Sequence, residues 1–193
     1  GVDTFTLTGT YAGTYAIVAA FNDNGIQILD VSVPSDIYAN GYLVDGDGLT
    51  LAGASDVDTF TIDGNTYAIV AAFDDNGVQI IDISNPYSPS PAGKLIDNGF
   101  ATALAGASGV DTFTIDGNTY AIVASVLDNG VQIINISNPA FPSTAGKLID
   151  NGFATALAGA SGVDTFTLTG TYAGTYAIVA AFDDNGVQII DIS

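Results

Sequence analysis

The 193-residue sequence contains no cysteine, histidine, methionine, tryptophan, arginine or glutamate. These absences exclude disulfides, imidazole metal ligands and the usual pairing of a nucleophile with a histidine base. An enzyme built from this chain would have to use aspartate, tyrosine, serine, threonine and lysine alone. Because no catalytic motif of those residues is recognisable, we expect a protein that is not an enzyme.

Positive charge is also nearly absent. The chain has 21 acidic residues, all aspartate, against two basic residues, Lys94 and Lys147, which gives a formal charge of −19. Such a surface repels nucleic acid and anionic lipid, since both are recognised through clustered lysine and arginine. No apolar run reaches the roughly 20 residues of a membrane helix, so direct membrane insertion is not expected either. Cations, neutral sugars and copies of the chain itself remain as partners.

The remaining composition favours an exposed environment. Threonine, glycine, alanine, asparagine and aspartate are abundant while lysine is scarce, which is typical of prokaryotic surface proteins. The absence of the oxidation-prone residues cysteine and methionine suits the same surroundings. We therefore predict an extracellular or cell-surface location, and the start at Gly1 suggests a mature or excised piece of a longer protein.

One unit of about fifty residues occurs four times. Each copy opens with Val-Asp-Thr-Phe-Thr, and the copies start at Val2, Val57, Val110 and Val163, which are 55, 53 and 53 residues apart. A fixed spacing in this range marks a solenoid, a propeller or a tandem array. We predict one repeat domain, 1–193, whose units are 1–55, 56–108, 109–161 and 162–193, the last of which lacks its fourth strand.

Within a unit the periodicity is that of strands. In the second copy, residues 57–62, 67–73 and 78–84 form three apolar runs, and a weaker fourth strand is predicted at 93–96. Asp75-Asn76-Gly77 favours a tight hairpin turn between the second and third strands. The second and third strands are apolar on both faces, so neighbouring units must cover them. Three to four antiparallel strands per unit describe an all-β, propeller-like fold better than a sandwich.

The residues of this hairpin resemble those of a known family. Thr-Tyr-Ala-Ile-Val at 66–70, Asp-Asn-Gly-Val-Gln-Ile-Ile-Asp-Ile-Ser at 75–84 and the Asn-Pro that follows are similar to LVIVD repeats, which are β-propeller units of secreted or surface proteins of bacteria and archaea. The resemblance covers all four copies. It implies the propeller fold and says almost nothing about activity, since propellers have many functions.

Aspartates recur at the second hairpin of each unit and are candidate calcium ligands, because carboxylates and turn carbonyls are the oxygen ligands that Ca²⁺ prefers. The alternative is that these aspartates only shape the turn, which the missing EF-hand spacing and Leu127 in the third copy favour. The candidate metal residues are Asp23, Asp74, Asp75, Asp128, Asp183 and Asp184.

Two further groups of residues have two interpretations each, and one asparagine is a candidate glycosylation site. Asp3, Asp58, Asp111 and Asp164 belong to the predicted innermost strands and either converge on a cation or bind the backbone of their own loops. Tyrosines in or near turns indicate either sugar binding or packing; they are Tyr11, Tyr15, Tyr38, Tyr42, Tyr87, Tyr172 and Tyr176. Asn135 begins an N-glycosylation sequon inside a predicted strand.

The copies are nearly identical in places. Residues 92–114 recur unchanged as 145–167, and residues 2–21 recur as 163–182. Recent duplication explains this, as does selection for identical surfaces in a regular assembly. We predict a structural or adhesive extracellular protein that assembles head to tail into a filament or array. The alternative is a calcium-assisted module that binds surface glycans.

Overall fold

A computed structural model describes residues 1–99, 101–152 and 155–193. In this part of the chain, fifteen strands form four separate antiparallel sheets, here called blades. Blade 1 contains β1 (Val2–Leu7), β2 (Gly13–Ala20), β3 (Gly25–Asp30) and β4 (Tyr38–Val44). Blade 2 contains β5 (Ala54–Ile62), β6 (Asn65–Ala72), β7 (Gly77–Asp82) and β8 (Ser90–Ile96). Blade 3 contains β9 (Ala107–Ile115), β10 (Asn118–Ser125), β11 (Gly130–Asn135) and β12 (Ser143–Ile149). Blade 4 contains β13 (Ala160–Leu168), β14 (Gly174–Ala181) and β15 (Gly186–Asp191).

The predicted all-β, propeller-like architecture is therefore confirmed. Each blade is a meander in which consecutive strands pair, and blade 4 has three strands. Each predicted unit boundary falls two residues inside the first strand of a blade, because that strand starts before the Val-Asp-Thr-Phe-Thr run. Short 3-10 helices at Gly9–Tyr11 and Gly170–Tyr172 precede the second strands of blades 1 and 4. No helix in the described ranges has the length and apolar character to cross a membrane.

The second hairpin of every blade has the same turn chemistry. An asparagine stands in the left-handed region at φ values of 52° to 53°, and these residues are Asn24, Asn76, Asn129 and Asn185. Asparagine tolerates this conformation better than most residues do. The predicted pairing of the second and third strands through this turn is confirmed, with Ala72 opposite Gly77 in blade 2.

The fourth strand is longer than predicted. In blade 2 it starts at Ser90 rather than at residue 93, and it includes Pro91. A proline fits here because β8 is the edge strand of its sheet and the register shifts where Ile81 opposes Pro91.

The hydrophobic core lies between consecutive blades. Side chains of blade 1 such as Ile17 and Ile28 pack against Val70 and Ile83 of blade 2, and equivalent clusters fill the next two junctions. The inner strands neighbour one another in the order β1, β5, β9, β13. Among the described residues no comparable packing joins β13 to β1, so the four blades form an open arc.

Candidate functional site

Two blade faces are left uncovered by this arc. The face of blade 4 that corresponds to the covered face of blade 2 exposes Val187 by 61 %, whereas its equivalent Val78 is 0 % exposed. Ile178 and Ile189 are exposed on the same face. We call this surface, defined by Ile178, Val187 and Ile189, the tail face.

Blade 1 carries the complementary surface. Val2 is 63 % exposed, although its equivalent in blade 2, Val57, is only 3 % exposed because it lies in the junction with blade 1. Leu29 and Val31 correspond to the buried pair Ile81 and Ile83. This surface, defined by Val2, Leu29 and Val31, is called the head face. Head and tail faces are the two halves of the interface that each internal junction already forms.

A short linker segment completes each internal junction. These segments are residues 50–53, 103–106 and 156–159, and each contains Leu-Ala-Gly. The central leucines are fully buried; they are Leu51, Leu104 and Leu157. Each leucine belongs to the apolar cluster between the blade that precedes its linker segment and the blade that follows it. The linker segments are therefore part of the core and not simple connections.

The blade that follows holds its linker segment through two side-chain acceptors. In blade 3, the backbone N–H of Ala103 donates to Oε1 of Gln132 at 2.9 Å, and that of Ala105 donates to Oδ2 of Asp128 at 2.8 Å. In blade 2 the corresponding bonds join Thr50 to Gln79 at 3.1 Å and Ala52 to Asp75 at 3.0 Å; in blade 4 they join Ala156 to Gln188 at 3.1 Å and Ala158 to Asp184 at 2.8 Å.

The preceding blade holds the same segment through its hairpin asparagine. Gly106 N–H donates to Oδ1 of Asn76 at 2.8 Å, and Gly53 and Gly159 bond in the same way to Asn24 and Asn129. Since the glycine lies at a φ of +64° to +67° in the three segments, a side chain there would be strained. Each linker segment is thus fixed by both blades of its junction.

These contacts show what the predicted metal residues do. Asp75, Asp128 and Asp184 use a carboxylate oxygen to accept a linker N–H. Asp74 and Asp183 donate their own backbone N–H groups to linker carbonyls at 3.1 and 3.2 Å. In the described ranges, no three acidic side chains stand close enough together to hold a metal ion. The contacts show that these carboxylates hold the linker segments, while calcium binding stays a prediction.

Asp23 is the remaining member of that set, and it differs. It lines an open groove of about 400 Å³ in blade 1 together with Gln27, Tyr42 and the backbone around Gly25. Asp23 and Gln27 are the equivalents of Asp128 and Gln132, but none of the described residues lies across them as a linker segment.

The aspartates of the inner strands connect neighbouring blades. Asp58 Oδ2 accepts the Thr112 N–H at 2.8 Å, and Asp111 Oδ2 accepts the Thr165 N–H at 2.7 Å. Burial raises the pKa of the Asp58 carboxyl to about 6, and Asp111 and Asp3 add to this while the bond to Thr112 opposes it. The sequence predicted a bond to each aspartate's own loop backbone, whereas the backbone N–H groups that bond to Asp58 and Asp111 here belong to the next blade.

The aspartates that end the third strands anchor the turn that follows. Asp82 Oδ1 accepts the Ser84 N–H at 2.9 Å, and Asp30 accepts that of Ser32 at 2.9 Å. The hydrogen bonds from Ser32 lower the pKa of the Asp30 carboxyl. Asn135, the predicted glycosylation residue, has the same role toward Ser137 at 3.0 Å. Its glycosylation remains a prediction.

The tyrosines divide into two groups. Tyr15 and Tyr176 stack on Phe5 and Phe166 within their blades, at centroid distances of 5.4 and 5.7 Å. Four others are largely exposed; they are Tyr38, Tyr42, Tyr87 and Tyr172. Tyr11 is half-buried and packs beside Tyr87, with the ring centroids 5.9 Å apart.

Comparison with known proteins identifies the repeat. The model of the LVIVD repeat matches residues 11–41, 55–95, 113–149 and 172–193, which is more than half of the chain. The chain belongs to the LVIVD repeat family. No curated protein sequence matches this LVIVD repeat protein.

Solved structures with a similar fold are distant in sequence. BBS1N, solved in complex with ARL6DN, matches with a TM-score of 0.62 and 14 % identity over 98 % of this chain and 48 % of its own. A protein from Lactobacillus plantarum matches with a TM-score of 0.58 and 14 % identity over 92 % of this chain and 53 % of its own. An exo-β-1,3-galactanase from Phanerochaete chrysosporium matches with a TM-score of 0.55 and 11 % identity over 97 % of this chain and 49 % of its own.

The LVIVD repeat protein spans about half the length of these structures. At such low identity the likeness shows the propeller-like fold alone, so the activity of the galactanase says nothing about this chain.

Proposed function

We propose that the chain is a structural element of an extracellular surface that joins copies of itself head to tail. The observation that carries the proposal is the tail face, where Ile178, Val187 and Ile189 are exposed although blade 2 fully buries the same positions. An exposed contiguous apolar surface on a soluble protein marks an interaction site. The acidic composition supports the extracellular setting.

The head face is a matching partner for the tail face because it carries the positions that cover the preceding blade in each internal junction. Blade 2 uses Val57, Ile81 and Ile83 to cover blade 1, and blade 1 offers Val2, Leu29 and Val31 at those positions. A head-to-tail contact between different surfaces produces a filament when its rotation does not close, and a ring when it does. Since every copy carries a charge of −19, salt should strengthen the contact by screening the repulsion between copies.

Two variants test the proposal without touching the core. Val2→Asp places a charge on the head face and Val187→Asp places one on the tail face, and both residues are more than 60 % exposed, so each variant should fold. Sedimentation velocity of the wild type should show assembly that grows with concentration and salt. Each variant alone should remain a monomer.

Mixing the two variants gives the sharpest result. Val2→Asp retains an intact tail face and Val187→Asp an intact head face, so an equimolar mixture should form dimers and stop there. Phe141→Asp is the matched control, because Phe141 is 78 % exposed in a blade 3 turn outside both faces. A wild type that stays monomeric at millimolar concentration and high salt would reject the proposal, and assembly that stops at two copies would replace the filament with a closed ring.

A further inference from the structure

The groove of blade 1 has the acceptors that hold linker segments in the other three blades. Gln27 Nε2 donates to the carbonyls of Ile28 at 2.9 Å and Gly41 at 3.1 Å. Gln132 Nε2 makes the equivalent bonds to Ile133 at 2.9 Å and Gly146 at 2.7 Å. The side-chain amide of Gln27 is therefore fixed in the same way as that of Gln132. Its Oε1 has the same direction as Oε1 of Gln132, which accepts the N–H of Ala103 in the linker segment.

Asp23 provides the second acceptor. It occupies the position of Asp128 in the Asp-Asn-Gly turn, and the turn conformation is the same, since Asn24 and Asn129 have φ values of 52° and 53°. Both Asp23 and Gln27 line the groove of about 400 Å³, a volume within the range of ligand-binding clefts. The pair is therefore spaced to accept the N–H groups of residues i and i+2 of an extended segment.

The other three blades show which sequence fits these acceptors. Position i is small, position i+1 is leucine, position i+2 is alanine and position i+3 is a glycine with positive φ. A side chain on that glycine would meet Asp74 in blade 2 at 2.8 Å, which excludes larger residues there. We propose that the groove of blade 1 binds an extended peptide of the pattern small-Leu-Ala-Gly.

The groove differs from its equivalents in blades 2 and 3 at the edge formed by the fourth strand. Opposite Gln79 and Gln132 stand Lys94 and Lys147, whose ammonium groups donate to the carbonyls of Gly48 at 2.6 Å and Thr102 at 3.4 Å. Opposite Gln27 stands Tyr42, which is exposed. The groove of blade 1 therefore has the ring of Tyr42 and the carboxylate of Asp23 but no lysine at this position. We expect it to prefer uncharged or basic peptides to acidic ones.

This inference goes beyond the assembly proposal and is tested separately from it. The protein is the Val187→Asp variant, which keeps blade 1 intact and cannot use its tail face. The probe is a fluorescent, capped octapeptide with the sequence of residues 101–108, Ala-Thr-Ala-Leu-Ala-Gly-Ala-Ser. Anisotropy should show saturable binding of one peptide per chain, with a dissociation constant below about 1 mM.

Two changes remove the same hydrogen bond from opposite sides. Asp23→Ala deletes the acceptor, and N-methylation of the alanine directly before the glycine of the peptide, the equivalent of Ala105, deletes the donor. Each should weaken binding about tenfold or more, as expected for a hydrogen bond to a charged group. Asp183→Ala, which removes a carboxylate from the hairpin of blade 4, should leave binding unchanged. The methylated peptide leaves the protein untouched, so its result stands even if Asp23→Ala unfolds.

Absence of saturable binding, or binding equally strong for the methylated peptide, would overturn the inference. Neither result bears on assembly, because the tail face is already blocked. Conversely, a wild type that never assembles but binds the peptide would reject the proposed function and leave this inference intact.

Discussion

Asp58 should make the fold more stable in mild acid, which is the reverse of ordinary acid denaturation. It lies on β5, half-buried between the inner strands of blades 1 and 3. Loss of hydration raises the pKa of its carboxyl to about 6 from an ordinary value of 3.8, and the carboxylates of Asp111 and Asp3 act in the same direction. The hydrogen bond from Thr112 reduces the effect but does not cancel it.

The sign follows from proton linkage. Between pH 4 and pH 6 the folded state holds a proton on Asp58 that the unfolded state has released, so the free energy of unfolding falls as pH rises through that window. A pKa difference of about two corresponds to about 3 kcal/mol at neutral pH. Because the carboxyl is partly exposed, screening by solvent reduces this to about 1.5 kcal/mol.

The test is thermal unfolding of Asp58→Asn from pH 5 to pH 7.5. The neutral amide can still accept the Thr112 N–H without a buried charge, so the melting temperature at pH 7.5 should rise by about 3–6 °C for a chain of this size. The difference in melting temperature between pH 5 and pH 7.5 should be smaller in the variant than in the wild type by a similar number of degrees. Asp63→Asn is the control, because it removes one charge at an exposed turn residue with φ of +50°, which asparagine tolerates.

Subtracting the control removes the contribution of overall charge. An Asp58→Asn variant that is no more stable than Asp63→Asn at pH 7.5 would refute the reasoning, since it would show that the carboxylate of Asp58 is not destabilised by its position. A variant that loses stability at every pH would show that the charged bond to Thr112 outweighs the cost of burial.

The remaining predictions concern the linker segments and the candidate metal residues. Leu104→Ala should lower the free energy of unfolding by about 2–5 kcal/mol in denaturant titrations, because Leu104 is fully buried between two blades. Asp128→Ala should cost about 1–3 kcal/mol by leaving the Ala105 N–H without its acceptor, whereas Asp183→Ala should be nearly neutral. Chelator at fixed ionic strength should leave the melting temperature unchanged, since the anchoring carboxylates already accept N–H groups; a lower melting temperature would instead show a stabilising bound cation.

The blades were predictable because their signals are local. An Asp-Asn-Gly turn fixes a hairpin from three residues, and strands that are apolar on both faces require covering on both faces. The fourth strand was underestimated since Pro91 argues against a strand unless the position is known to be an edge. Edge position is a property of the sheet and not of the local sequence.

The linker segments were missed, although a signal was present. Leu-Ala-Gly recurs at 51–53, 104–106 and 157–159, always the same distance before Val-Asp-Thr-Phe-Thr. A motif that recurs at a fixed position between two strands indicates that the connecting backbone follows the same path in each unit. The small residues around the motif gave no strand or helix pattern that would have drawn attention to it. The acceptors could not be assigned from sequence, because Asp128 and Asn76 reach the same segment from two different blades.

Folding and assembly of this chain are physically coupled through blade 4. In a repeat protein each unit is stabilised by itself and by its junctions with neighbours. Within the described residues, blades 2 and 3 have two junctions each, whereas blade 4 has one junction and three strands, so the outer edge of β15 is unpaired there and its face is exposed. It should therefore open first, and its amide hydrogens should exchange fastest. A head face docked on the tail face would supply the missing junction, so the contact that joins copies would also stabilise the least stable blade.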